Sequence, residues 1–176
     1  MEDEQAKTLA ALQFAIQMEV DGKEYYQKIS QMTDNEIGKE LFYSLAIEED
    51  SHRQRFEEIY QAIKKKKAWP EIDIPLGRGE KIATLFAKAM ETADPNIKAP
   101  RAELGAIARA MDMENKSYDF YGSQSKKAIY DAERNFYEAL AAEERGHYLV
   151  LVDYQEYLTD PAGWFVKRER PSLDGG

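Results

Sequence analysis

Leu45-Ala46-Ile47-Glu48-Glu49-Asp50-Ser51-His52 and Leu140-Ala141-Ala142-Glu143-Glu144-Arg145-Gly146-His147 are the two stretches on which the reading of this chain turns. They hold the only two histidines of the 176 residues, and each places a Glu-Glu pair three and four positions before its histidine. His147 follows His52 by 95 positions; at the same offset Glu19, thirty residues before Glu49, falls on Glu114, thirty before Glu144. Four carboxylates and two imidazoles thus recur as two equal halves. Such a set is a ligand inventory for two transition-metal ions.

Around these motifs the chain is rich in Ala, Glu, Lys, Leu and Gln, which favours helix. Four apolar stripes run at steps of three, four and seven. The first carries Leu9, Leu12, Ile16, Glu19, Tyr26 and Ile29, and the second Leu45, Glu49, His52, Phe56, Ile59 and Ile63. The third carries Leu104, Ile107, Met111, Glu114, Tyr118 and Tyr121, and the fourth Tyr137, Leu140, Glu144, His147, Leu151, Tyr154 and Leu158. In every stripe a Glu or His interrupts the apolar face. A solvent-facing glutamate needs no such placement, and an unpaired one facing the core is costly or forced neutral. The pattern asks for a buried cation.

Spacing sets the register. Thr33 and Glu36 read as a capping box that opens the second helix. Glu19 precedes Asp34 by fifteen residues and Glu49 follows it by fifteen. At about 1.5 Å per residue, both carboxylates stand roughly 20 Å up the two arms of an antiparallel hairpin, side by side. The same arithmetic sets Glu114 and Glu144 about Ile129, with Asp131 as the expected N-cap. The 95-residue offset also lays Leu9 on Leu104, Ala15 on Ala110, Met18 on Met113 and Tyr26 on Tyr121.

The expected architecture is all-α: a single domain over 1–176, a four-helix bundle of two helical hairpins related by a pseudo-twofold axis. The hairpins span 5–63 and 101–158. Residues 64–100 form a long crossover, which can return the chain along the bundle. In it Trp69-Pro70 and Pro75-Leu76-Gly77 break structure, Glu80 to about Glu91 forms a short helix, and Asp94-Pro95 and Pro100 close the segment. Lys64 to Lys67 read as a solvated helix end. The tail, 159–176, has no long fifth helix. Trp69, Trp164 and Phe165 are expected to anchor linker and tail, and Gly22, Gly122 and Gly146 to mark close helix approach or bends.

Composition removes several function classes. With 43% hydrophobic and 32% charged residues the chain reads as globular. No cysteine is present, which excludes disulfides, thiolate zinc, iron–sulfur clusters and cysteine nucleophiles built from these residues. A net charge of −9 argues against nucleic acid as a partner. No apolar run approaches the roughly 18 residues that span a membrane, so no membrane partner is expected. Met1-Glu2-Asp3-Glu4 is acidic and lacks the basic start of a signal peptide. A cytoplasmic location is expected.

Glu and His at i and i+3 share a helix face. Two such pairs with two further glutamates give six ligands, and four carboxylates balance two divalent ions. Oxygen and imidazole donors without thiolate suit iron or manganese.

Met18-Glu19 and Met113-Glu114, each with a tyrosine seven residues after the glutamate, together with Leu140 through His147, resemble the rubrerythrin branch of the ferritin-like di-iron carboxylate superfamily over about residues 5–158. The resemblance implies a ferritin-like bundle. It implies Glu19 and Glu114 as terminal ligands, Glu49 and Glu144 as bridging ones, and His52 and His147 as one per metal. The implied cofactor is two iron ions, with manganese or zinc able to substitute. Glu48 and Glu143 would each accept the free imidazole N–H of the opposite half's histidine. Three departures shape the expectation. Without the cysteines of a rubredoxin iron, electrons come from an external donor, a rubredoxin-like protein or a reductase. Ser117 stands where rubrerythrins carry an extra glutamate. Asp50 stands where bacterioferritins carry the haem-binding methionine, so no haem is expected.

The function expected on this basis is an oxidoreductase that reduces hydrogen peroxide or dioxygen, as a homo-oligomer with a dimer favoured. A ferroxidase or iron-handling protein and a non-catalytic, metal-stapled bundle stay open beside it. Tyr26 and Tyr121 read either as packing or as groups that tune the site or supply an electron.

Overall fold

Residues 2–66, 68–70 and 78–169 are described by a computed structural model. The Pro75-Leu76-Gly77 break, Lys67 and the end of the tail lie outside the described residues. Among those described there are six α-helices and no strand: α1 (Glu2–Met32), α2 (Glu36–Lys66), α3 (Arg78–Ala89), α4 (Arg101–Lys127), α5 (Asp131–Thr159) and α6 (Pro161–Glu169). A 3-10 turn, Met90–Thr92, follows α3. The fold is an all-α, ferritin-like bundle.

α1 packs along α2 and α4 along α5, and the hairpins meet through α1 with α4 and α2 with α5. The crossover helix α3 lies on α5 and α2, and α6 lies on α5. The core divides into two clusters. One joins Tyr26, Leu41, Phe42, Leu45 and Ala46, near the first hairpin's turn, to Ile107, Ala110, Leu151, Tyr154 and Leu158 at the open end of the second. The other joins Leu12, Ala15, Phe56, Ile59 and Ile63 to Tyr121, Phe136, Tyr137, Leu140 and Ala141. Adding 95 to the first-hairpin residues just named in either cluster gives second-hairpin members of the other, as a twofold axis across the bundle requires. Ile82, Phe86 and Met90 of the crossover, with Trp164 of α6, extend only the first cluster. Trp69 packs tilted against Phe136 and Tyr137, at 5.8 and 5.7 Å between ring centroids. Trp164 packs on Tyr157 and Phe165, and its Nε1 donates to Asp153 at 2.7 Å.

Three local expectations are corrected. Thr33 does not cap α2: its hydroxyl donates to the Ile29 carbonyl at 2.7 Å, and Asn35 Oδ1 accepts the Ile37 N–H at 2.9 Å. The chain needs residues 33–35 to reverse, so α2 starts at Glu36, which pairs with Lys39 rather than reaching back. Asp131 is the first residue of α5, and the N-cap is Tyr130 in extended conformation. Glu133 supplies the capping group, accepting the Ile129 N–H at 3.3 Å. Tyr118 is exposed rather than on the core stripe. Its counterpart at the offset is Lys23, a surface residue paired with Asp50, so this register position faces outward in both halves.

No helix among the described residues is long and apolar enough to cross a membrane.

Candidate metal centre

Between the two apolar clusters each long helix points carboxylate or imidazole groups inward. Glu19 comes from α1, Glu49 and His52 from α2, Glu114 from α4, and Glu144 and His147 from α5. All six are buried; Glu144 and His147 are fully inaccessible. The level placement drawn from turn spacing is met in space. Ligand atoms of Glu19, Glu49, His52 and Glu144 lie within 4.8 Å of one another, and so do those of Glu49, Glu114, Glu144 and His147. Glu49 and Glu144 belong to both groups.

Both imidazoles present Nδ1 to this cluster. His52 Nδ1 is 3.2 Å from Glu144 Oε1 and 3.4 Å from Glu19 Oε2. His147 Nδ1 is 3.4 Å from Glu49 Oε1, 3.6 Å from Glu114 Oε2 and 3.7 Å from Glu144 Oε2. The rings stack at 5.8 Å and 14°. The inward atoms Glu19 Oε2, Glu49 Oε1, His52 Nδ1, both oxygens of Glu144 and His147 Nδ1 are buried without a hydrogen-bond partner. Buried polar atoms are otherwise almost always satisfied. Six convergent donors, aimed at one another at lone-pair distances, fit two cations that share Glu49 and Glu144. The donors are oxygen and imidazole nitrogen, which suits iron or manganese over softer ions.

A second ring of contacts holds the inner set. Tyr26 Oη donates to Glu114 Oε1 and Tyr121 Oη to Glu19 Oε1, each crossing from one half to the other. The two tyrosines therefore do more than pack. His52 Nε2 hydrogen-bonds Glu143 Oε2 at 2.7 Å, as expected from the other half's motif. The matching bond is not formed: His147 Nε2 and Glu48 Oε2 are both buried without a partner, and Glu48 gathers with His52 and Glu143 instead. Asp50, next to Glu49, turns away to Lys23 at 2.8 Å and Arg53 at 2.9 Å. The Lys23 bond above all holds its carboxyl at about 2.

Electrostatics follow from burial and crowding. Burial first, then the charges of Glu144, Glu19 and Glu114, push the Glu49 carboxyl well above its ordinary value. Burial and Glu144 push Glu114 up to about 8 against the pull of His147. Burial would raise Glu144 too, but the facing imidazoles of His147 and His52 outweigh it and hold this carboxyl below the usual range. Both imidazoles are pushed up despite burial, His52 by Glu143, Glu144 and Glu19, His147 chiefly by Glu114. Burial, then the facing glutamates, raise Tyr26 and Tyr121, so both phenols keep their protons. The cluster thus holds protons that an arriving cation must displace.

A pocket of about 160 Å³ leads to this cluster between α1 and α4, lined by Met18, Asp21, Gly22, Tyr26, Glu49, Met113, Glu114, Lys116 and Ser117. Sequence reasoning missed what Gly22 does. A Cβ there would come 2.8 Å from Glu49 Oε2, so the glycine leaves room for a carboxylate rather than marking a bend. A lone glycine three residues after Glu19 carries no signal of that. At Gly122 nothing lies within 4 Å of a Cβ.

A family model described as Rubrerythrin matches residues 10–153, which includes all six inward residues. Searches of curated proteins and of solved structures returned no match.

Proposed function

The chain belongs to the rubrerythrin family, and from that premise we propose that it is a non-haem di-iron oxidoreductase that reduces hydrogen peroxide or dioxygen. Glu19 and Glu114 would hold the ions as terminal ligands, Glu49 and Glu144 as shared ones, and His52 and His147 would each supply one imidazole. The observation that carries the reading is the pair of four-residue groups sharing Glu49 and Glu144, all buried, with inward atoms that no protein group satisfies. An iron pair in such a site supplies two electrons to one small oxidant.

The chain's own residues prepare the site. Glu143 accepts the His52 Nε2–H, which leaves Nδ1 as the ring atom facing the cluster, able to take a cation in place of its proton. Tyr26 and Tyr121 clamp one oxygen each of Glu114 and Glu19, so the other oxygen of each faces inward. The two apolar clusters above and below exclude bulk water and strengthen every charge interaction between them. Electrons are proposed to come from a donor outside these 176 residues, a rubredoxin-like protein or a reductase. A homodimer in the cytoplasm is the proposed working state.

Stopped-flow mixing of the ferrous-loaded protein with hydrogen peroxide and, separately, with dioxygen tests the reading. Oxidation of the bound iron faster than that of free ferrous iron is expected with at least one. If neither reacts faster, the oxidoreductase reading is wrong.

A further inference from the structure

Three residue pairs related by the 95-residue offset form the walls of the α1–α4 pocket: Met18 with Met113, Asp21 with Lys116, and Gly22 with Ser117. Its floor is not paired. Glu49, Glu114 and Tyr26 line it, whereas their counterparts Glu144, Glu19 and Tyr121 do not. Gly22 and Ser117 are where the walls differ in a way that reaches the floor. The Glu49 carboxylate leans into the room that Gly22 leaves, with Oε2 2.8 Å from where a Cβ would stand. On the opposite wall the equivalent position carries a serine side chain, and Glu144 stays fully buried. The far side of the centre repeats the inequality. His52 Nε2 is bonded to Glu143 at 2.7 Å, while His147 Nε2 has no partner.

Resting on the di-metal reading above, we propose that the two metal positions are inequivalent and that Gly22 and Ser117 make them so. The position framed by Glu49, Glu114, Glu144 and His147 is the open one. It holds its ion more weakly and takes the small-molecule ligand, which arrives through the α1–α4 pocket. The position framed by Glu19, Glu49, Glu144 and His52, with His52 fixed by Glu143, is sealed and fills first. A pocket of about 160 Å³ has room for roughly five molecules of water size, at about 30 Å³ each. That is room enough for peroxide, dioxygen or azide. Gly22 and Ser117 are positioning residues: one sets where the Glu49 carboxylate rests, the other narrows the approach.

Cobalt(II) added anaerobically to the metal-free full chain, followed by calorimetry and by the cobalt visible spectrum, reads the positions separately. Two binding steps at least about tenfold apart are expected, the size of effect that a missing outer partner has on metal affinity. Azide should then change the cobalt spectrum with one-to-one stoichiometry. Gly22→Ala, which would press on Glu49 Oε2, should weaken the second step more than the first, because the same carboxylate's Oε1 is the carboxylate oxygen nearest His147 Nδ1. Glu143→Gln should weaken the first step by about 10–100-fold. Ser117→Gly should draw the two steps together, and Ser117→Phe should leave both cobalt steps in place while abolishing the azide change. The Ser117 variants replace no ligand and keep the proposal testable if Gly22→Ala does not fold. Two equal cobalt steps, equal weakening of both by Gly22→Ala, or azide binding unaltered in Ser117→Phe would each overturn the inequivalence. A chain that takes up no cobalt at all would instead overturn the metal reading, and this inference with it.

Discussion

Raising the pH of the metal-free protein from 5.5 to 7.5 should destabilise it, and metal should abolish the effect. The reason lies in Glu114, buried and pushed up to about 8 from an ordinary 4.5. A carboxyl raised by folding stabilises the fold where it is protonated: fully below its unfolded value, and progressively less as pH rises through its folded one. Between those values the folded state holds one proton more than the unfolded state. The slope is about 1.4 kcal/mol per pH unit for each such proton. Across two units this one group contributes a loss of about 2.5 kcal/mol. For a chain of this size that is a fall in Tm of roughly 5–10 °C. Glu49 is raised and acts in the same direction. So do His52 and His147, whose contribution is complete below about 6.5 and lost as pH rises through their elevated folded values. Glu144 is lowered, so its contribution is lost only under strong acid, outside this window. Thermal melts of chelator-treated protein at pH 5.5, 6.5 and 7.5 measure the slope, with Glu114→Gln as the control that should make it shallower by up to about 1.4 kcal/mol per pH unit. A metal-free Tm that stays level or climbs over this range refutes the electrostatic account of the cluster.

Saturating ferrous iron or zinc at about a hundred times its Kd should stabilise the fold by about 2.7 kcal/mol per independent site, and chelator should reverse it; an unmoved Tm in differential scanning calorimetry would contradict this. Tyr121→Phe removes the hydroxyl that donates to Glu19 and should cost about 1.5–3 kcal/mol in urea denaturation, as loss of a hydrogen bond to a charged group does. Gly38→Ala would press a methyl within 2.9 Å of Glu103 Oε1 and Thr33 Cγ2 and closer still to Tyr154 Oη, so a loss of about 1–3 kcal/mol is expected despite better helix propensity. Gly122→Ala meets open space and should gain up to about 1 kcal/mol in the same thermal melts.

Much of the fold and of the centre could be read along the chain, because both rest on periods. Helical stripes announce themselves through every third or fourth residue, and turn-to-ligand spacing brings Glu19 beside Glu49 without any knowledge of packing. The caps were less legible. Thr33 matches a capping box in sequence, yet the last turn of α1 competes for the same hydroxyl and takes it. Tyr118 matches the stripe in spacing but sits at a register position that faces outward, which only its counterpart Lys23 reveals. Helix boundaries and faces at the margins are decided by differences of about 1 kcal/mol, which neighbours in space readily reverse.

The sequence alone determined the twofold plan and the six inward side chains. An offset of 95 residues repeats every donor type at equal spacing, and a buried carboxylate must find a cation or take up a proton. The tertiary structure decided how far the two halves depart from that plan. Tyr26 and Tyr121 cross between the hairpins to clamp the opposite glutamates. Glu143 reaches His52 while Glu48 fails to reach His147. Gly22 leaves room for Glu49 Oε2 in a pocket whose opposite wall carries Ser117. Each of these depends on contacts of a few ångströms between residues distant in the chain. Identical motifs in unequal surroundings settle there into unequal positions.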